Sequence, residues 1–319
     1  MEALPDLIAP LSFRKNNVGG EATSPSADVL ENIADLLRAG PGRGLILLIH
    51  GYNNDFAAAN EAYSGFFRVQ RKIAELPEGR RVADDRVFVE VFWPGDADWG
   101  ILSFACYMQS IDQAVRTAKL LADSLWELTD IINADKPLEV DIIGHSMGCR
   151  LATELLTALG ATDRIRTRRV ALMAAALPTF MIEKDGSLRP GVDAKLGGPD
   201  CRVGSLYSPN DMVLALAFPV GQTLAGGKNG IFPTALGHEM WVSSSIPANL
   251  EQQQIAGAGH SDYWGWKLDT EGIAKVANTR LAKLFGFDHA PRRQVVERST
   301  PIREEPQVRE PGAPLGVAA

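Results

Sequence analysis

Apolar positions fall into two kinds of run along this chain. Short, nearly continuous runs stand at 45–49, 87–92, 138–143, 170–173 and 203–207. Such runs, bounded by turn residues, predict parallel strands buried on both faces. Between them the spacing changes to the helical period, as at 56–75, 103–132 and 147–159. A helix is also predicted over 27–39, with Val29, Leu30, Ile33, Leu36 and Leu37 on one face, ended by Gly40, Pro41, Gly42 and Gly44. A last helix is predicted over 270–284, burying Ile273, Val276, Leu281 and Leu284. Strand and helix alternate, which predicts an α/β fold: a mostly parallel central sheet with helices on both faces.

The pattern also divides the chain. Residues 1–26 mix Pro, Gly and Asn and read as an irregular lead-in. Residues 27–288 read as one domain, with lid or insert segments at 178–200 and 213–259 where periodicity fails. One further strand is expected near 239–242. Residues 289–319 turn to Pro, Arg, Glu and Val without period and read as a disordered tail. The run Arg164, Arg166, Arg168 and Arg169 reads as a solvated helix end.

Composition narrows the function classes. The 319 residues are 45% hydrophobic and 22% charged, enough for a full-sized core. There are 32 basic against 39 acidic side chains, a net charge of −7, which argues against a nucleic-acid partner. Cys106, Cys149 and Cys201 have neither disulfide-framework nor zinc-ligand spacing, and fit a reducing compartment. No run approaches a membrane span, and the N-terminus lacks a signal-peptide pattern, so the default expectation is cytoplasmic. No Gly-rich dinucleotide or phosphate loop and no metal-ligand cluster are visible, so neither a cofactor nor a metal is expected.

The chemistry concentrates at Gly144-His145-Ser146-Met147-Gly148, a G-x-S-x-G sequence. An apolar strand leads into it and a helical run leads out, the setting in which this pattern exposes a nucleophilic serine. A Gly-rich strand-to-helix turn capped by a serine would spell the same letters; the flanking elements favour the nucleophile. The neighbours at ±2 must lack bulk if strand and helix are to meet closely. A serine also needs a base, and the base needs an acid to fix its tautomer.

Three histidines follow Ser146: His238, His260 and His289. His289 begins the tail. His260 lies in the Gly-rich loop Gly257-Ala258-Gly259-His260 ahead of the last helix and is the favoured base, with His238 the runner-up. Asp211 follows strand 203–207, at the end of the sheet where α/β sites lie, and is the favoured acid over Asp200 and Asp262. Asp262, two residues from His260, is also placed to set that loop. A developing oxyanion needs two N–H donors. The amide of Met147 is one candidate, and the amide of Tyr52, in His50-Gly51-Tyr52-Asn53-Asn54 after the first apolar strand, is the other. His50 and His145 read as holders of loop geometry. Trp93, Phe104, Phe218, Phe232 and Trp241 are candidates to wall a pocket, and Gly226, Gly227 and Gly230 to hinge a lid. Cys149 reads as packing.

HGYNNDF at 50–56, FWPG at 92–95, DIIGHSMGCR at 141–150, YSPND at 207–211 and GHSDYW at 259–264 resemble the α/β-hydrolases grouped as DUF900, over residues 40–285. The resemblance implies an α/β-hydrolase fold and lipase- or esterase-like chemistry, with Ser146 as nucleophile, Asp211 as acid and His260 as base. Ala174-Ala175-Ala176-Leu177 departs from relatives that carry an acidic residue there. The reading is a serine hydrolase acting on a small-molecule or lipid carboxylic ester. The alternatives are an acyltransferase using the same triad, or a hydrolase-fold binding protein without activity.

Overall fold

A computed structural model describes residues 7–15, 20–40, 44–75, 86–96, 103–133, 135–196, 201–224, 233–241, 243 and 245–286. All of them belong to the unit Met1–Asp288. The strands are β1 (Ile8–Ser12), β2 (Gly44–Ile49), β3 (Val87–Phe92), β4 (Leu138–His145), β5 (Ile165–Arg166), β6 (Arg169–Met173), β7 (Arg202–Tyr207) and β8 (Leu250–Gln254). They form one sheet in the order β1-β3-β2-β4-β6-β7-β8, with β5 beside β4. Every strand pair is parallel.

The central strands β2 and β6 are buried at every position, so both faces of the sheet are covered. The helices are α1 (Ala27–Ala39), α2 (Phe56–Ala74), α3 (Ser103–Ile132), α4 (Met147–Leu159), α5 (Arg189–Leu196), α6 (Phe218–Leu224) and α7 (Glu271–Gly286). They fall into two packed groups: α1, α3, α4 and α5 in succession with α6 also against α3, and α2 with α7. In α1, Leu30, Ile33, Ala34 and Leu37 turn inward. That is the i, i+3, i+4, i+7 stripe, and each large side chain contributes about 1.5–3 kcal/mol when fully buried.

The α/β expectation and its five core strands hold. The lead-in does not stay irregular: Ile8–Ser12 is an edge strand against β3. Ala9 and Leu11 face inward while Ile8 and Pro10 are exposed. Proline masks that period-2 signal, and an edge strand tolerates it because one row of N–H groups has no strand to pair with. No strand forms among the described residues of 239–242. The further strand is β8, Leu-Glu-Gln-Gln-Gln, too polar to register as an apolar run. Trp241 is instead bonded across to it, its N–H donating to Gln252 Oε1 and its carbonyl accepting from Gln252 Nε2.

The aperiodic insert at 178–200 contains a 3-10 turn, Thr179–Ile182, and α5. In 213–259 a π-helical turn, Val213–Ala217, runs into α6. The arginine run is no helix end. Arg168 pairs with Glu139 at 3.6 Å, and buried Arg169 with Asp141 at 3.3 Å, because the short strands β5 and β6 carry the run beside β4. Residues 289–319, with Phe232, Gly226, Gly227 and Gly230, lie outside the described residues. Among the described residues no helix is long and apolar enough to cross a membrane.

Candidate active site

Ser146 stands between the last residue of β4 and the first of α4, at φ 53° and ψ −123°. A non-glycine residue held there costs on the order of 1–3 kcal/mol and needs surrounding support. Its N–H donates to Met173 O at 2.9 Å, and its carbonyl accepts from Ala176 N at 3.1 Å. The end of β6 and the chain just beyond it therefore clamp the strained residue. A Cβ on Gly144 would come within 3.0 Å of Gly148 O, and one on Gly148 within 2.4 Å of His50 O. The two flanking glycines let α4 close onto β4 and β2. Met147 opens α4, so its amide belongs to the first turn, which has no intrahelical acceptor.

Three predicted residues come together here. His260 Nε2 lies 2.8 Å from Ser146 Oγ, and His260 Nδ1 lies 2.8 Å from Asp211 Oδ2. The carboxylate can only accept, so Nδ1 carries the proton and Nε2 is left to accept from the serine hydroxyl. Asp211 is fully buried. Its other oxygen, Oδ1, accepts from the amides of Val213 and Leu214 at 3.1 and 3.0 Å, fixing the carboxylate plane.

The loop bearing His260 is tied down on three sides. Ser208 Oγ donates to Ala258 O at 2.6 Å, Gly259 N donates to Asp262 Oδ2 at 2.8 Å, and His145 Nε2 donates to the His260 carbonyl at 2.6 Å. Asp262 thus shapes the loop and does not orient the imidazole. His238 sits in a turn and is not among the residues lining the cavity described below. His289 and Asp200 lie outside the described residues.

The loop after β2 approaches the serine from the other side. A Cβ on Gly51 would come within 2.8 Å of Ser146 Cβ, so backbone packs directly on the serine. His50 is fully buried, and its Nδ1–H donates to Gly51 O at 2.8 Å. Its Nε2 accepts from Trp93 N at 3.3 Å. Burial, with the Arg14 charge added, lowers its pKa to about 3. His145 is likewise lowered to about 3, by burial first and then by His260. Both rings are neutral at ordinary pH and serve as geometry holders. Asn53, at φ 58°, donates its N–H to Gly95 O at 2.7 Å. Burial keeps Cys149 protonated, its thiol raised well above the usual range.

Ser146 and His260 open onto a cavity of about 430 Å³. Its walls include Tyr52, Ala58, Ala62, Ala176, Val213, Leu214, Phe218, Trp264 and Trp266, and among the described residues no Asp, Glu, Lys or Arg lines it. Trp93, expected in this wall, is instead fully buried, its Nε1 donating to His50 O at 2.9 Å. Trp241 is also buried away from it; Phe104's side chain is outside the described set. Trp264 and Trp266 were missed as wall residues, although both lie within six residues of His260 in an aromatic run. A larger crevice of about 650 Å³ is lined by Arg38, Asp130, Lys136 and Asp163 at the start of β4, the opposite end of that strand from Ser146.

The family model described as "Alpha/beta hydrolase of unknown function (DUF900)" matches residues 26–222. The matched span contains Ser146 and Asp211 and ends before His260. No curated protein matches. Among solved structures, a predicted CIB-like hydrolase from Thermoplasma acidophilum is 15% identical, covering 75% of this chain and 87% of its own, at a TM-score of 0.36. TT1662 from Thermus thermophilus is 16% identical, covering 74% and 88%, at 0.38. The esterase RhEst1 from Rhodococcus sp. ECU1013 is 14% identical, covering 77% and 92%, at 0.33.

Proposed function

We propose that this chain, which belongs to the DUF900 family of alpha/beta hydrolases, is a serine hydrolase that cleaves a carboxylic ester. The observation that carries the reading is the unbroken chain of two 2.8 Å contacts from Asp211 through His260 to Ser146. Ser146 Oγ attacks the ester carbonyl while His260 Nε2 takes its proton. Asp211 stays ionised, holds the Nδ1–H tautomer and stabilises the imidazolium. The amides of Met147 and Tyr52 receive the tetrahedral oxyanion. His260 then protonates the departing alcohol. Water, activated by the same imidazole, releases the acid from Ser146.

The cavity points to an uncharged substrate. Its walls are mainly alanine, leucine, valine and aromatic side chains, with Asn53, Asn54 and Ser261 as neutral polar groups, and among the described residues no Asp, Glu, Lys or Arg lines it as a counter-ion. A volume of about 430 Å³ suits a small-molecule ester or one arm of a lipid ester.

The test is labelling with a fluorophosphonate, mapped by mass spectrometry, on native, heat-denatured and Ser146→Ala protein. The expected result is one adduct, on Ser146, in the native fold only, with Ser146→Ala losing at least ~10³-fold in kcat on a p-nitrophenyl ester. Labelling that persists in Ser146→Ala, or esterase turnover that survives it, rejects the mechanism. Native protein that neither labels nor turns over belongs to the binding-protein reading.

A further inference from the structure

We infer that Arg14 is a positioning residue for the oxyanion loop; the inference rests on the hydrolase reading above. Arg14 lies twelve residues before the family match begins at residue 26, yet its side chain is fully buried beside the site. Its Nη1 donates to Asp96 Oδ2 at 2.8 Å and its Nη2 to Asp96 Oδ1 at 2.5 Å, a two-pronged ion pair. The same Nη2 donates to the carbonyl of Asn54 at 2.7 Å. One guanidinium therefore joins three separate segments: the chain after β1, the loop after β2 and the loop after β3.

Each segment is itself anchored. Phe13, just before Arg14, is fully buried and donates its N–H to Phe92 O at 2.8 Å, extending the β1–β3 pairing. Asn54 Nδ2 reaches back to Gly51 O at 3.2 Å. Asn53 N–H is bonded to Gly95 O, one residue before Asp96. The Tyr52 amide lies between these two fixed points. If the loop slid, Arg14 would lose the Asn54 carbonyl inside the protein, where an unpaired donor is costly. Arginine suits the place because its planar fork serves a carboxylate and a carbonyl together, which an ammonium cannot do in one fixed plane.

The donors of an oxyanion hole act on the transition state, so displacing one lowers kcat and spares ground-state binding. The experiment compares wild type with Arg14→Lys, Arg14→Met and the double variant Arg14→Met/Asp96→Met. The double variant leaves no unpaired buried charge and so separates positioning from folding. Fluorophosphonate titration counts competent sites, p-nitrophenyl acetate gives kcat and KM, and an alkylboronic acid, which forms a tetrahedral adduct on serine, reports the oxyanion geometry.

Arg14→Met and the double variant are expected to lose roughly 10- to 100-fold in kcat at nearly unchanged KM. Boronate affinity should fall in parallel, with Arg14→Lys intermediate. Wild-type kcat in the double variant, or a rise in KM at constant kcat, overturns the inference while leaving the hydrolase reading in place. Wild-type protein that neither labels nor turns over overturns both.

Discussion

His145 donates its Nε2–H to the main-chain carbonyl of His260 at 2.6 Å, so the residue before the serine holds the backbone of the residue that faces the serine hydroxyl. Asp211 fixes the His260 ring, and His145 fixes the peptide that carries it. Among the described residues the lone pair on His145 Nδ1 meets no donor, so the ring's hydrogen bonding here rests on Nε2. His145→Gln keeps an N–H at about the same reach; His145→Phe keeps the ring bulk without it. The phenylalanine variant is expected to lose roughly 10- to 100-fold in kcat, and the glutamine variant much less. Equal losses, measured at matched numbers of fluorophosphonate-competent sites, would assign the position to packing.

Gly148→Ala tests the close approach of α4. The new methyl would meet Ile49 O at 2.5 Å and His50 O at 2.4 Å, both main-chain atoms. A loss of about 1–3 kcal/mol is expected in urea unfolding. Gly272→Ala in α7, where the methyl meets nothing within 4 Å, should instead gain roughly 0.5 kcal/mol.

The elements that lie mid-sheet were legible because burial on both faces forces continuous apolar runs, as in 45–49 and 87–92. The elements at its edges were not. In β1 the alternation is two residues deep and broken by Pro10; in β8 three glutamines keep the strand half-solvated. The grouping of Ser146, His260 and Asp211 was legible because a strand-to-helix turn fixes Ser146 locally and chain order limits its candidate partners. Arg14 carried no signal of its own. Its role depends on β1 lying beside β3, a pairing across some eighty residues that local spacing does not encode. The buried pairing of Arg169 with Asp141 escaped for the same reason.

Acid should weaken the fold through the two buried histidines. His50 and His145 drop from 6.5 to about 3 on folding. Between those values the unfolded chain binds protons that the folded chain refuses, so stability is complete above pH 6.5 and declines as pH falls toward 3. At pH 5 each histidine costs about 2 kcal/mol relative to neutral pH. Urea midpoints for wild type and His145→Gln across pH 4–8 check this. The variant should show a slope shallower by one proton; an identical slope refutes the assignment.

Glu90 acts in the opposite direction. Burial in β3 raises its carboxyl from 4.5 to about 7. The folded state then holds a proton that the unfolded chain gives up, so this group lowers stability as pH rises from 4.5 through 7. Glu90→Gln is expected to raise Tm at pH 8.5 and to leave it unchanged at pH 5. A gain of equal size at both values would mean that the ionisation of Glu90 is not what costs stability.

Ser146 and His260 are 114 residues apart in the chain. A ribosome completes the strained turn, its flanking strand and α4 long before it reaches the loop that supplies the imidazole. The emerging polypeptide therefore carries the serine through about a third of its synthesis without the imidazole that faces its hydroxyl. On the serine-hydrolase reading, a nascent chain truncated before residue 260 is expected to be inert toward esters, with reactivity arising only once β8 and the loop after it have packed beside β7.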